Sequence, residues 1–411
     1  MSAGPPLVGG HRVRVLTVLP ADPERLAIGG IATFVRGFVK FAPDDFDLGF
    51  VGMSGTRSLL RWHEVEIEGR PVRFLPVTRG GDSVRRGMPS ALRFSLAMAA
   101  NRRALQGQLR GHPWVAAFHR PGSDLAFPMA DGPRWRVVHL SVADLATPGS
   151  ESRWRRLSPA LDRLERRSFR TMDRVYVVNR AVADDYRRRY AEISDRLTFL
   201  PNWADPTIFR PMSPSYRTRV RAELGLAPDA PTVLFAGRLE GQKDPLLLAD
   251  AFAQVRRKLP GVVLLVVGEG AMGEQMRDLL HGRHKATDAV RFLGIVPRDR
   301  LAELMNAADL LAITSAFETG PTVGLEALAC GLPVVTTPVG EVSAIVAEAG
   351  AGHTTASRSP EAVARGLLDV LERAPHLRTA AVEAAAPYLA DRVLGTLYDD
   401  NRLLAARLER P

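Results

Sequence analysis

At 411 residues, with 46% hydrophobic and 24% charged residues, the chain is too long for one ordinary core and too apolar for disorder, so two domains are expected. Its single cysteine, Cys330, excludes an intramolecular disulfide and a cysteine-based zinc site. No window holds the roughly 18 apolar residues of a membrane-spanning helix, and "MSAGPPLVGGHRVRVLTVLP" at the start lacks the apolar core of a signal peptide. A cytoplasmic protein is expected.

The net charge of +10 is uneven: residues 1–205 hold 32 Lys and Arg against 21 Asp and Glu, leaving 23 against 24 in residues 206–411. Coding bias is one source, since only four lysines occur (Lys40, Lys243, Lys258, Lys285). An anionic partner, or peripheral contact with the inner face of an anionic membrane, is the other. "RLERRSFR" (163–170) and "RRRY" (187–190) read as solvated helix faces. Without aromatic interleaving or a reader motif, the basic residues do not indicate nucleic-acid binding.

In chain order, "RVRVLTVLP" (12–20) reads as a buried strand and "GGIATFVRGFVKFA" (29–42) as a glycine turn opening a helix. In "RGGDSVRRGMPSALRFSLAMAA" (79–100), a candidate acceptor loop precedes a helix whose Leu92, Phe94, Leu96 and Met98 read as a core face. "WVAAFHR" (114–120), "RVVHLSV" (136–142) and "RVYVVNR" (174–180) are further strands. "LPNWADPTIFRPMSPS" (200–215), with four prolines and no helical period, is the expected boundary. Beyond it come "PTVLFAGR" (231–238), "GVVLLVVGEG" (261–270), "AVRFLGIV" (289–296), "DLLAITS" (309–315) and "LPVVTTPVG" (332–340). Near-continuous Val, Leu and Ile strands between helices indicate parallel sheets covered on both faces. The fold class is α/β with two doubly wound, Rossmann-like domains: residues 1–205 and 206–387, with a C-terminal helix (388–411) packing back on the first. Two such sheets facing each other would gather their carboxyl-end loops around a cleft.

Three of those loops carry chemistry. Gly29-Gly30 at a helix start lets backbone N–H groups approach an anion. In "GRLEGQKDP", Arg238 and Lys243 offer a fork and a point charge suited to a pyrophosphate. The alternative is a surface pair held by Glu240 and by Asp244, which with Pro245 caps the next helix. In "AFETGPTVGLEALACG" (316–331), Glu318 precedes a helix that Pro321 or Thr322 begins, and Glu326 lies over one turn inside it. Carboxylates there accept hydroxyl hydrogen bonds while the helix start offers N–H groups to an anion. Phosphate between two polyols describes a nucleotide sugar.

The Glu318-x7-Glu326 spacing with "ALACGLPVV", "GRLEGQK", "VVGEG", "FLGIVPRDRLAELMNAADLLAITS" and "PNWADPTIF" resembles the retaining GT-B glycosyltransferases of family 4 over roughly residues 197–345. "GGIATFV" and "FHRPGSD" are similar to the thinner motifs of the first domain. The resemblance implies transfer of a hexosyl unit from a nucleoside-diphosphate sugar, UDP slightly favoured over GDP, with anomeric configuration kept. No metal and no cofactor beyond the donor are implied. The acceptor is a hydroxyl of a small molecule, glycan or lipid.

Carried over residue by residue, Arg238 and Lys243 would hold the diphosphate, Glu326 the ribose, and Glu318 a donor-sugar hydroxyl. Gly29, Gly30, Gly268, Gly320, Pro321 and Thr322 would line the donor, and Val296 would meet the base through its main chain. His119 would stand close to the reacting carbon; His139 is a candidate for acceptor contact or support of His119. Catalysis would fall to His119, Glu318, Arg238 and Lys243. One departure is Asp244, where the family usually has glycine or asparagine. A sugar-nucleotide epimerase or a catalytically silent binding subunit on the same fold are the alternatives.

Overall fold

The computed structural model describes residues 12–26, 29–80, 89–120, 122–128, 132–139, 158–318 and 322–408. It divides into two compact units, Met1–Leu200 with Leu394–Pro411, and Pro201–Val393. The chain thus passes between units at Leu200/Pro201, at the start of the proline-rich stretch, and returns at Val393/Leu394. No helix among the described residues is long and apolar enough to cross a membrane.

The first unit holds β1 (Val13–Val18), β2 (Phe46–Ser54), β3 (His63–Ile67), β4 (Arg70–Arg79), β5 (Val115–Phe118), β6 (Arg134–Val138), β7 (Arg174–Val177) and β8 (Leu197–Phe199). They lie in the order β3-β4-β2-β1-β5-β6-β7-β8. The sheet is parallel except at its edge, where β3 pairs antiparallel with β4 across a turn at Glu68-Gly69. That edge hairpin departs from the all-parallel expectation. Three of these strands, β2 to β4, carry no signal as clear as the others: glycines interrupt β2, and β3 alternates exposed glutamates with buried Val65 and Ile67. Such alternation is what a half-covered edge strand requires.

Helix α1 (Gly30–Lys40) follows β1, and α2 (Ser90–Ala100) and α3 (Arg102–Leu109) precede β5. In α2 the expected core face is half right. Phe94 and Met98 are fully buried, but Leu92 and Leu96 are 49% and 51% exposed. Residues two apart on a helix lie some 200° around its axis, so these two pairs occupy opposite sides. The C-terminal helix Ala390–Ala405 closes the unit. Asn401 Oδ1 accepts from Trp135 Nε1 at 2.9 Å, Tyr398 donates to Phe38 O at 2.8 Å, and Arg402 pairs with Asp45.

The second unit holds β9 (Thr232–Ala236), β10 (Val263–Val267), β11 (Val290–Gly294), β12 (Leu310–Ile313), β13 (Val334–Thr336) and β14 (Gly352–Thr354), ordered β11-β10-β9-β12-β13-β14 and all parallel. Hydrophobic clusters cover both faces of this sheet. In each unit the strand order reverses direction beside one central strand: between β1 and β5 in the first, between β9 and β12 in the second. Open α/β sheets bind ligands at the carboxyl ends of strands flanking such a reversal.

Candidate functional site

The second unit's reversal point brings together the loops after β9 and β12. Ala316 N donates to Gln242 O at 2.8 Å, and Thr314 Oγ1 donates to Lys243 O and Asp244 O, both at 3.0 Å. Two loops 70 residues apart are thereby fixed as one platform. On it, Lys243 Nζ pairs with Glu318 Oε1, and Ser315 Oγ donates to the same oxygen at 2.6 Å. Both side chains are largely enclosed, Glu318 at 5% exposure and Lys243 at 18%.

Arg238 is different. Its side chain is 64% exposed and reaches Glu240 at 2.5 Å and Gln242 Oε1 at 3.2 Å. Half of the surface-pair reading therefore holds: Glu240 engages Arg238, while Asp244 engages Arg358 at 2.6 Å instead of Lys243. Asp244 also caps the helix Pro245–Lys258 through Leu247 N at 3.2 Å, in a left-handed conformation with φ 45°. Glycine and asparagine accept that conformation readily, and aspartate is the next most tolerant residue.

Gly331, with φ 72°, ends the helix Thr322–Ala329. Of the residues expected around its start, Thr322 opens the helix, while Gly320 and Pro321 lie outside the described residues. Glu326 is 7% exposed within the helix's apolar face and accepts from Arg298 Nη2 at 3.5 Å. Burial pushes its carboxyl up to about 7, partly opposed by Arg298. Arg298 also lies 3.8 Å from Asp205 Oδ2, and Asp205 Oδ1 accepts from the backbone and hydroxyl of Thr207. Arg298 escaped the sequence reading, because nothing in "VPRDR" signals that one of its arginines meets a buried glutamate 28 residues on.

Gly268 has a backbone reason to be glycine. At φ 120°, an added Cβ would sit 2.0 Å from Gly237 O, because the turns after β9 and β10 pack main chain against main chain. Val296, in the connection that follows β11, is half-buried against the core.

In the first unit, the reversal between β1 and β5 places Gly29 and Gly30 after β1 and His119 after β5. A pocket of about 240 Å³ is lined there by Leu19, Leu26, Gly29, Gly30, Ile31 and Arg120, among others. Gly29 has φ 153°, α1 has no acidic residue in its first turn, and no atom lies within 4 Å of a Cβ built on either glycine. His119 is buried, and its Nδ1 lies 3.1 Å from His139 Nε2 at the end of the neighbouring strand β6. Phe34 packs edge-on against both rings, with centroids 5.3 Å away, and Trp135 against His119 at 5.9 Å. This enclosure drives His119 down to about 3, and burial with neighbouring positive charge drives His139 down as well. Both rings are neutral at pH 7, one donating to the other. Among the described residues, no three His, Cys, Asp or Glu side chains group to hold a metal ion.

Residues 217–386 match the family of glycosyl transferases group 1. D-inositol 3-phosphate glycosyltransferase of Segniliparus rotundus is 35% identical over 192 residues, 46% of this chain and 42% of that protein. The enzyme of that name from Actinosynnema mirum is 33% identical over 253 residues, 57% and 58% of the two chains. The match thus spans about half the length of these relatives. Among solved structures, sucrose-phosphate synthase of Thermosynechococcus elongatus superposes with a TM-score of 0.76 at 18% identity, covering 96% of this chain and 100% of that one. HepE of Anabaena, solved with UDP and glucose, gives 0.69 at 20% identity, over 96% and 100%. At these identities the likeness is one of fold, and that fold is GT-B, as the paired Rossmann-like sheets were expected to be.

Proposed function

From a chain whose residues 217–386 match the family of glycosyl transferases group 1, we propose a glycosyltransferase that moves a hexosyl unit from a nucleoside-diphosphate sugar to an acceptor hydroxyl. The observation that carries the reading is the Lys243–Glu318 pair at the strand reversal of the second sheet: a cation for phosphate beside a carboxylate for sugar hydroxyls. Arg238, exposed and adjacent, adds the second cation.

In the proposed reaction the bond between the anomeric carbon and the phosphate oxygen breaks, and the acceptor oxygen bonds to that carbon on the same face. Attack on the face that the phosphate leaves keeps the configuration, and the acceptor's proton passes to the departing phosphate. Lys243, Arg238 and the N–H groups at the start of the helix Thr322–Ala329 would meet the charge that grows on the leaving group. Glu326 would hold the ribose, and His119, neutral, would donate to or accept from a sugar hydroxyl near the reacting carbon. UDP is the base we favour slightly over GDP, and the acceptor class is a small molecule, glycan or lipid.

The test is thermal unfolding with UDP, GDP, ADP, dTDP and their common sugars, repeated with Glu326→Ala. A ligand at 100 times its dissociation constant adds about 2.7 kcal/mol of stability. A shift with one nucleotide that Glu326→Ala abolishes supports the site. No shift with any nucleotide, or one that Glu326→Ala leaves intact, overturns it. Release of free nucleotide diphosphate that depends on acceptor separates transfer from epimerisation and from silent binding.

A further inference from the structure

The outward face of α2 presents two leucines to solvent on consecutive turns. Leu92 and Leu96 are 49% and 51% exposed, and exposed Ala99 continues their row. The helix is not loose, for Phe94 and Met98 on its other side are fully buried. Single exposed leucines are ordinary, but two aligned on a well-anchored helix make an apolar ridge. Exposed Arg93 flanks the ridge, and exposed Arg102 and Arg103 follow at the start of α3.

These arginines differ from the chain's other basic runs. On the helix Arg180–Arg189, Arg187 pairs with Asp184, Arg188 with Asp185, and Arg189 with Asp162 and Asp185, so that run is neutralised where it stands. Arg166 and Arg170 likewise share Glu192. Arg93, Arg102 and Arg103 meet no carboxylate among the described residues, and the sequence holds no Asp or Glu between Asp82 and Asp124. Three unneutralised arginines therefore accompany the leucine ridge.

We propose that this face docks the chain on an anionic lipid bilayer, with Leu92 and Leu96 entering the acyl boundary and Arg93, Arg102 and Arg103 meeting headgroup phosphates. A bilayer supplies negative charge directly above an apolar layer, which is the order in which this helix presents its groups. Nucleic acid offers the charge without an apolar layer for the leucines. A second copy would bring the same arginines face to face, where they repel.

Flotation of the full chain tests this with vesicles of phosphatidylcholine alone and with one third phosphatidylglycerol. Wild type is expected to float only with the anionic vesicles and to be released by salt. Arg93→Gln/Arg102→Gln/Arg103→Gln should lower partitioning about 100-fold, and Leu92→Gln/Leu96→Gln about ten-fold. Arg188→Gln, a paired arginine elsewhere, should change nothing. All of these side chains are exposed, so unchanged thermal unfolding confirms that each variant folds. Failure of wild type to float, equal binding to neutral vesicles, or full binding by either multiple variant overturns the proposal. So does lipid-free dimerisation that Leu92→Gln/Leu96→Gln abolishes, which would give the ridge to a second copy.

Discussion

Lys243 and Glu318 close on each other across the carboxyl ends of β9 and β12, and Ser315 Oγ donates to the same carboxylate oxygen at 2.6 Å. Two groups that the proposed donor binding would use against different parts of a ligand are each other's partner. In the proposed site a donor's diphosphate would compete with Glu318 for the lysine.

Removing Lys243 alone strands that carboxylate. With Glu318 only 5% exposed, Lys243→Ala should cost about 3 kcal/mol, as loss of one partner from an enclosed pair does. Urea unfolding should show it, and Glu318→Gln in the same background should recover most of the loss. Arg238→Ala, at an exposed side chain, should leave the unfolding midpoint unchanged yet depress turnover by about 10²–10³, the usual cost of a donor to a developing charge. If both variants affect stability alike, the two cations do not divide the work in this way.

Glu326 gives the second unit a pH signature. Its folded pKa of about 7 lies above that of an unfolded glutamate, so the native state holds the extra proton. The stabilisation is complete below about pH 4.5 and is lost as pH rises to 7, by about 3 kcal/mol at about 1.4 kcal/mol per unit. Glu326→Gln, which cannot ionise, should lack this slope. A ribose-binding carboxylate also accepts hydroxyl hydrogen bonds better when ionised, so nucleotide affinity should strengthen through pH 7 in wild type and stay flat in the variant. Calorimetric titration at pH 6 and 8 decides the second point.

What was legible in the sequence follows the range of the interaction. Glu318 and Glu326 stood out because a strand, a loop and a capped helix are local features, and their spacing fixes where each carboxylate falls. Asp244 as a cap was readable for the same reason. The pairing of Lys243 with Glu318 joins residues 75 apart and needs β9 beside β12, and the Arg298 contact, from the helix start after β11 to a carboxylate inside the helix after β12, needs the sheet order β11-β10-β9-β12. His119 and His139 were each visible at a strand end, but their contact depends on β5 lying beside β6. Leu92 and Leu96 were read with Phe94 and Met98 because apolar residues at alternate positions look continuous until the helix is wound.

The buried histidines give the first unit the opposite acid response. Their folded pKa values are depressed, His119 to about 3, whereas the unfolded chain protonates them near pH 6.5. Their contribution is therefore complete above pH 6.5 and declines by about 1.4 kcal/mol per unit for each ring as pH falls toward the folded values. His119→Asn should remove that ring's share of the decline and leave the share of His139. Since His119 is already neutral throughout pH 5–8, the same variant should lower turnover without altering the shape of the pH–rate profile there. An alkaline limb that disappears with His119 would show that the ring works in its charged form.

The two sets of glycines should separate structure from ligand contact. At Gly268, an alanine Cβ would be driven into Gly237 O at a φ of 120°, so Gly268→Ala should unfold or severely destabilise the second unit whatever its ligand. Gly30 has ordinary helical backbone, and no atom lies within 4 Å of an added Cβ. Gly30→Ala should therefore stabilise α1 by about 0.5–1 kcal/mol through reduced freedom of the unfolded chain. If the bare backbone at this helix start is kept so that a donor phosphate can approach, the same substitution should weaken nucleotide-sugar binding. A more stable protein with looser donor binding is the outcome that assigns Gly30 to the ligand. A more stable protein with unchanged binding would leave the glycine pair as a turn and nothing more.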